Sequence, residues 1–144
     1  MAKKNLPVTI TLIAVLCIAQ IILFRSKVDL GFPIIYRLLL GLAAIVVTLP
    51  VHELIHWCFM RLFGLKDARI EFARDPLGLP SLRTIASGKL PRIRRIIVLL
   101  APFVLLTVIP DIFFFLADKI VLFFFLVAIC NAAGCCFDIM DALK

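Results

Sequence analysis

Pro50-Val51-His52-Glu53-Leu54-Ile55-His56 lies inside a long apolar run of a 144-residue chain, and its two histidines are the only ones in that chain. Read as helix, the stretch puts His52 and His56 on one face, because side chains four residues apart are neighbours at about 5 to 6 Å between Cβ atoms. Two imidazoles so placed can share one metal ion, with Glu53 beside it. In the metallopeptidase use of this His-Glu-x-x-His pattern, the imidazoles are zinc ligands and the acid is the general base toward the metal's water. Short patterns also arise by chance, and the plainer reading is a pair of hydrogen-bonded interfacial histidines. The apolar setting favours the metal: ionisable groups on apolar turns are costly to desolvate without a partner.

Working outward, Pro50 stands two residues before His52. Its missing N–H frees the carbonyl of Val46 and predicts a bent or loosened turn. Such a turn suits an ordinary kink or the wall of a wet cavity at membrane depth. The helix around it is expected over 33–63, opened by Pro33 and closed by Gly64 as C-cap. Hydrophobic residues make up 64% of the chain and mean hydropathy is +1.16. A chain this short buries little of that surface in a water-soluble core, so lipid is the expected solvent for one membrane domain spanning 1–144. The net charge of +7 sits between apolar runs rather than on an aromatic-interleaved surface, which argues against nucleic acid and for membrane topology.

The apolar runs predict an all-α integral membrane fold with four transmembrane helices at about 6–24, 33–63, 96–116 and 119–141. The first reads as a retained helix, being too long for a signal-peptide core and lacking a small-residue cleavage site. Between helices two and three, Leu65 to Arg95 turns charged, with glycine and proline. This segment reads as a loop or a short β-hairpin, with strands at Ala68 to Arg74 and Leu82 to Ser87 around a turn at Asp75 to Pro80. A hairpin here would offer an edge for strand addition by an extended peptide. Pro102 and Pro110 interrupt the third run, and Asp118-Lys119 links it to the fourth. The phenylalanines at 113–115 and 123–125 read as lipid-facing or packing surface, and Asp111 as interfacial.

Lysine and arginine set the orientation. Arg61, Lys66, Arg69, Arg74, Arg83, Lys89, Arg92, Arg94 and Arg95 fall between helices two and three, on one side with Lys3, Lys4 and Lys144. Only Arg25, Lys27, Arg37 and Lys119 fall on the other. The positive-inside rule then puts both termini and the hairpin in the cytoplasm of a multi-pass cell-membrane protein. Counted from Arg37 at about 1.5 Å per residue, His52 and His56 lie about 22 and 28 Å deep; counted from Lys119, Asn131 and Asp138 lie about 18 and 28 Å deep. Asp138 therefore reaches the histidines' level as a candidate third ligand, with a fourth position left for water. Asp141, one turn on, is the rival ligand. Asn131 shares a face with Asp138, and is a candidate for binding the substrate carbonyl or oxyanion, or else for an interhelical hydrogen bond. Ala132, Ala133 and Gly134 predict a close helix approach there. The cysteines at 17, 58, 130, 135 and 136 read as small core residues without disulfides, with Cys135 or Cys136 as less suited metal ligands.

The run from His52 through Arg61 to Gly64 resembles the His-Glu-x-x-His helix of intramembrane site-2-type metalloproteases. The small size, the four spans, Pro50 and the Asn131-to-Asp138 stretch resemble more closely the zincin peptidase family of small bacterial membrane proteins. The resemblance implies zinc bound by His52, His56 and Asp138, with Glu53 as catalytic base. Two features depart from the site-2 pattern: no proline follows Asn131, and Ile139 rather than glycine follows Asp138. Arg95 to Phe103 resembles that family's Gly-Pro stretch, with Ala101 before Pro102. The expected activity is peptide-bond hydrolysis in or near the cytoplasmic leaflet, on a membrane protein or peptide substrate. The alternative is a metal-binding membrane scaffold or adaptor without turnover. A di-iron oxygenase is disfavoured by the scarcity of histidine and carboxylate ligands.

Overall fold

The computed structural model describes residues 6–74 and 80–143. The elements run α1 (Leu6–Phe24), α2 (Ile34–Leu62), β1 (Arg69–Arg74), β2 (Pro80–Ile85), α3 (Arg92–Phe103), a π-helical turn (Val104–Val108), α4 (Ile109–Leu116), α5 (Leu122–Gly134) and α6 (Cys136–Ala142). Among the described residues, three segments are long and apolar enough to cross a membrane: Pro7–Phe24, Ile34–Leu62 and the continuous Arg92–Leu116. A fourth results if α5 and α6, bent by 42°, count as one span.

The long helix α2 carries the organising stretch and stays helical through Pro50. Its buried residues are Ala44, Thr48, His52 and His56, one every fourth position. That spacing draws a single stripe along the helix, apolar at one end and bearing imidazoles at the other. The stripe packs on α5, where Ala128 and Ala132 are fully buried. These two alanines make the close approach. Gly134 is exposed instead, with open space where a Cβ would sit.

Gly64 ends α2 as the sequence predicts, at φ 96°. The N–H of Leu65 reaches the carbonyl of Met60 and that of Gly64 the carbonyl of Arg61, each at 3.0 Å. This double closure of the last turn needs a left-handed residue at Gly64, which glycine supplies without a Cβ clash.

The chain then forms the antiparallel hairpin, in register Arg69↔Ile85 through Arg74↔Pro80. The predicted turn falls mostly on 75–79, outside the described residues, as do Lys3, Lys4 and Lys144. The second strand lies two residues earlier than 82–87. Ser87 leaves the sheet because its N–H donates to Asp67 Oδ2 at 2.6 Å, closing the hairpin's base. Trp57 on α2 donates its indole N–H to the carbonyl of Ala68 at 2.9 Å, tying the hairpin to the helix.

Helix α3 begins at Arg92 rather than 96, after Pro91, whose φ of −53° is already that of a helix start. Its arginines extend their stems outward: Arg94 stacks over Phe63 at 5.8 Å, and Arg95 donates to the carbonyl of Asp141 at 2.9 Å. Helix α5 begins at Leu122 rather than 119, because Ile120 is held extended in a bridge to Val28, its N–H on the carbonyl of Lys27 at 2.9 Å. The last helix is broken at Cys135, next to Gly134, the weakest helix former in that run.

Phe24, Val28, Phe114, Ile120, Leu122, Phe125 and Ala128 form an apolar core at the end of the bundle away from the histidines. Phe113, Phe115 and Phe124 point outward, so the phenylalanine runs split between packing and surface. Lys27 caps this end: its ammonium donates to the carbonyls of Phe114, Phe115 and Ala117 at 3.2, 2.9 and 3.0 Å. Asp111 is more than an interfacial acid, since both its oxygens accept the Gln20 side-chain amide at 3.0 Å, linking α1 to α4.

Candidate metal centre

His52 and His56 are 8% and 5% exposed, on the turns of α2 that face α3, α5 and α6. Their Nε2 atoms lie 3.1 Å apart. Asp138 Oδ2 lies 3.0 Å from the first and 3.3 Å from the second. Among the described residues these three side chains form the one group able to hold a metal ion. Asp141 is outside that group, and it sits exposed near the end of α6.

The hydrogen bonds behind the imidazoles fix which nitrogen faces inward. Asn131, fully buried, donates its Nδ2 hydrogens to the carbonyl of Pro102 and to Thr107 Oγ1, both at 2.9 Å. A carbonyl only accepts, so Nδ2 must lie on that side and Oδ1 must face His52. His52 Nδ1–H therefore donates to Asn131 Oδ1 at 3.0 Å. His56 Nδ1–H donates to the carbonyl of Val98 at 2.9 Å. That carbonyl is free because its helical partner would be the N–H of residue 102, which is proline.

With both Nδ1 atoms protonated, both Nε2 atoms carry lone pairs, and Asp138 adds a carboxylate oxygen. Three acceptors facing one another at these distances repel unless a cation or shared proton joins them. Tetrahedral donors at about 2.0 to 2.2 Å from zinc stand roughly 3.3 to 3.6 Å apart. The observed separations come within a few tenths of an ångström of that, and two imidazoles with one carboxylate are a donor set zinc accepts. The residues fit the ion.

Glu53 is tied to the hairpin rather than to the bundle. One residue on from His52, it sits about 100° further round the helix, and Oε2 accepts the N–H of Thr84 at 2.7 Å. The Thr84 hydroxyl lies 2.8 Å from the same oxygen and 2.9 Å from the backbone carbonyl of Glu53. The outer N–H of β2 at Thr84 is therefore engaged by the helix. Cys135 Sγ lies 3.8 Å from His52 Nδ1, behind the ring, and Cys136 donates to the carbonyl of Ala132 at 3.3 Å. Both thiols are directed away from the inward-facing Nε2 atoms.

The sequence alone points to the histidines, Glu53, Asn131 and Asp138, but not to Val98, Thr107 or Thr84. Pro102 is the available signal for Val98, because a proline inside a helix always leaves the carbonyl four residues back without its partner. Thr84 gives no signal, since nothing local marks a strand residue that meets a helix 31 positions earlier.

A mostly helical chain with several candidate apolar spans, two buried histidines and a partly exposed carboxylate converging on one point has the make-up of a candidate metal-binding membrane protein. Within it, residues 45–144 match the family described as "Putative zincin peptidase", and the chain belongs to that family. Zinc is the ion the family implies, and a metallopeptidase the activity it suggests. No curated protein and no solved structure matches the chain.

Proposed function

We propose that the chain is an integral membrane zinc metallopeptidase that hydrolyses peptide bonds in or near the cytoplasmic leaflet. The observation that carries this reading is the convergence of His52 Nε2, His56 Nε2 and Asp138 Oδ2 within 3.3 Å of one another. These three residues would hold zinc, which when bound supplies Lewis-acid polarisation of a scissile carbonyl and a water of lowered pKa. Glu53, next to the first of these ligands in sequence, would serve as the proton acceptor and donor for hydrolysis there. Asn131 and Val98 keep each imidazole in the tautomer that offers Nε2 inward, the usual role of groups behind metal-binding histidines. Asn131 acts on His52 rather than on substrate, because both partners of its amide N–H group are already within the protein.

The membrane setting is supported by the three apolar spans, the bent fourth, and large apolar side chains exposed along α1 and α2. On this reading the bent pair counts as a fourth span, and the positive-inside rule supports both termini and the hairpin lying on the cytoplasmic side of the cell membrane. A membrane protein or peptide is then the substrate, and a helical one must unwind locally to offer its backbone. The relation to site-2-type proteases rests on the His52-to-Gly64 resemblance and belongs to the same proposal. The test is Glu53→Gln in the full-length protein, scored against a panel of membrane and peptide substrates. Cleavage lost with zinc content and fold retained supports the peptidase. Unchanged cellular activity in that variant contradicts it and favours a metal-binding scaffold.

A further inference from the structure

The imidazoles are anchored by the helical bundle, but Glu53 is anchored by the hairpin. Thr84 brings two donors to one carboxylate oxygen: its backbone N–H at 2.7 Å and its hydroxyl at 2.8 Å. The hydroxyl has one proton and two acceptors in range, Oε2 and the carbonyl of Glu53 at 2.9 Å. The charged oxygen is the stronger acceptor, and the proton goes there. Among the described residues, none donates a hydrogen bond to Oε1.

The backbone donor depends on register. Thr84 pairs with Ile70, and its N–H points away from β1 toward the helix, which makes this a non-hydrogen-bonded pair of the ladder. Slipping the pairing by one residue would turn that N–H inward and present Arg83 or Ile85 to Glu53. Neither carries a hydroxyl. Closure of the hairpin's base by Asp67 and Ser87, and its attachment through Trp57, hold the register that serves Glu53.

We infer that Thr84 is the positioning residue for Glu53, its N–H and hydroxyl fixing Oε2 so that Oε1 alone is presented to take a proton. This inference rests on the peptidase reading for its catalytic consequence, though not for the contact itself. Two measurements on the full-length chain in detergent keep the two apart. The first is a double-mutant cycle on metal-free protein, comparing melting of wild type, Glu53→Ala, Thr84→Val and the pair. Thr84→Val is expected to lower the melting temperature clearly more in the wild-type background than in the Glu53→Ala background, where the hydroxyl still has the backbone carbonyl of residue 53 as acceptor. Additive effects in that cycle overturn the inference, whatever the turnover.

The second is turnover of zinc-loaded protein on a quenched fluorescent peptide library. Thr84→Val is expected to lower kcat by up to about 100-fold, the cost of misplacing a reacting group by about 1 Å, with KM and zinc content unchanged. Thr84→Ser, which restores the hydroxyl, should recover most of kcat. A Val variant with full kcat, or a Ser variant no better than Val, overturns the inference. Zinc-loaded wild type that cleaves nothing, with coupling intact in the melts, overturns the peptidase reading and the catalytic part of the inference together.

Discussion

Replacing Asn131 by alanine removes three hydrogen bonds at once, and the consequences divide in a measurable way. His52 Nδ1–H loses its oxygen acceptor, and the carbonyl of Pro102 loses the Asn131 donor, both in buried surroundings. Thr107 keeps a partner, because its hydroxyl still donates to the carbonyl of Ala128 at 3.3 Å. Each orphaned buried group costs about 1 to 3 kcal/mol, so the variant should lose about 2 to 6 kcal/mol of stability. That is a large share of the roughly 5 to 15 kcal/mol a domain has. Zinc affinity should fall about 10- to 100-fold, the usual effect of removing a group that orients a metal-bound histidine. Thr107→Val is the control: it removes one acceptor of the Asn131 amide and leaves the His52 contact, so its effect on zinc should be smaller. The assay is competition with a chromophoric chelator on protein shown to be folded by circular dichroism. Folded Asn131→Ala that binds zinc as tightly as wild type would refute the reasoning about His52.

Other expectations bear on the same geometry. Asp138→Ala should lose bound zinc while Asp141→Ala keeps it, read by metal analysis of the purified variants; equal occupancy would remove Asp138 from the site. Pro102→Ala restores an N–H that competes with His56 for the carbonyl of Val98, so zinc affinity should fall severalfold even though a helical hydrogen bond is gained. The same chelator titration reads that loss. At the hairpin's base, hydrogen bonds from the Ser87 side chain and backbone hold the Asp67 carboxyl below its ordinary value of 3.8. A lowered folded pKa means that the contact stabilises above the unfolded value and is lost as pH falls through the folded one. Protection of the Ser87 amide in hydrogen exchange should therefore persist near neutrality and disappear below that ordinary value, with Asp67→Asn abolishing the pH dependence.

How much of this was legible in the chain depended on the range of the signal. The His52–His56 pairing is a property of one helix, and a spacing of four residues was enough to read it. Helix α1 and the end of α2 at Gly64 were likewise local, set by an unbroken apolar run and by a residue that tolerates positive φ. Asp138 could be brought level with the histidines only by counting along a straight last span. The last helix is bent at Cys135, yet Asp138 reaches the histidines because the break falls after Asn131 and less than one helical turn before Asp138. The start of α5 was misread because Ile120 is held by Val28 and Lys27, which lie far back in the chain. Asn131 stood out in the sequence, but its role did not, since its partners Pro102 and Thr107 lie on another span and only packing reveals them.

One inorganic ion held by α2 and α6 is the premise shared by the site, the proposed chemistry and most of these expectations. X-ray absorption on the purified full-length protein, combined with metal analysis, tests it most directly. The prediction is one zinc per chain with nitrogen and oxygen neighbours at about 2.0 to 2.2 Å, two of them imidazoles, and loss of that zinc in His52→Ala and His56→Ala. Wild-type protein that holds no zinc, or variants that hold it in an unchanged coordination shell, would contradict the premise.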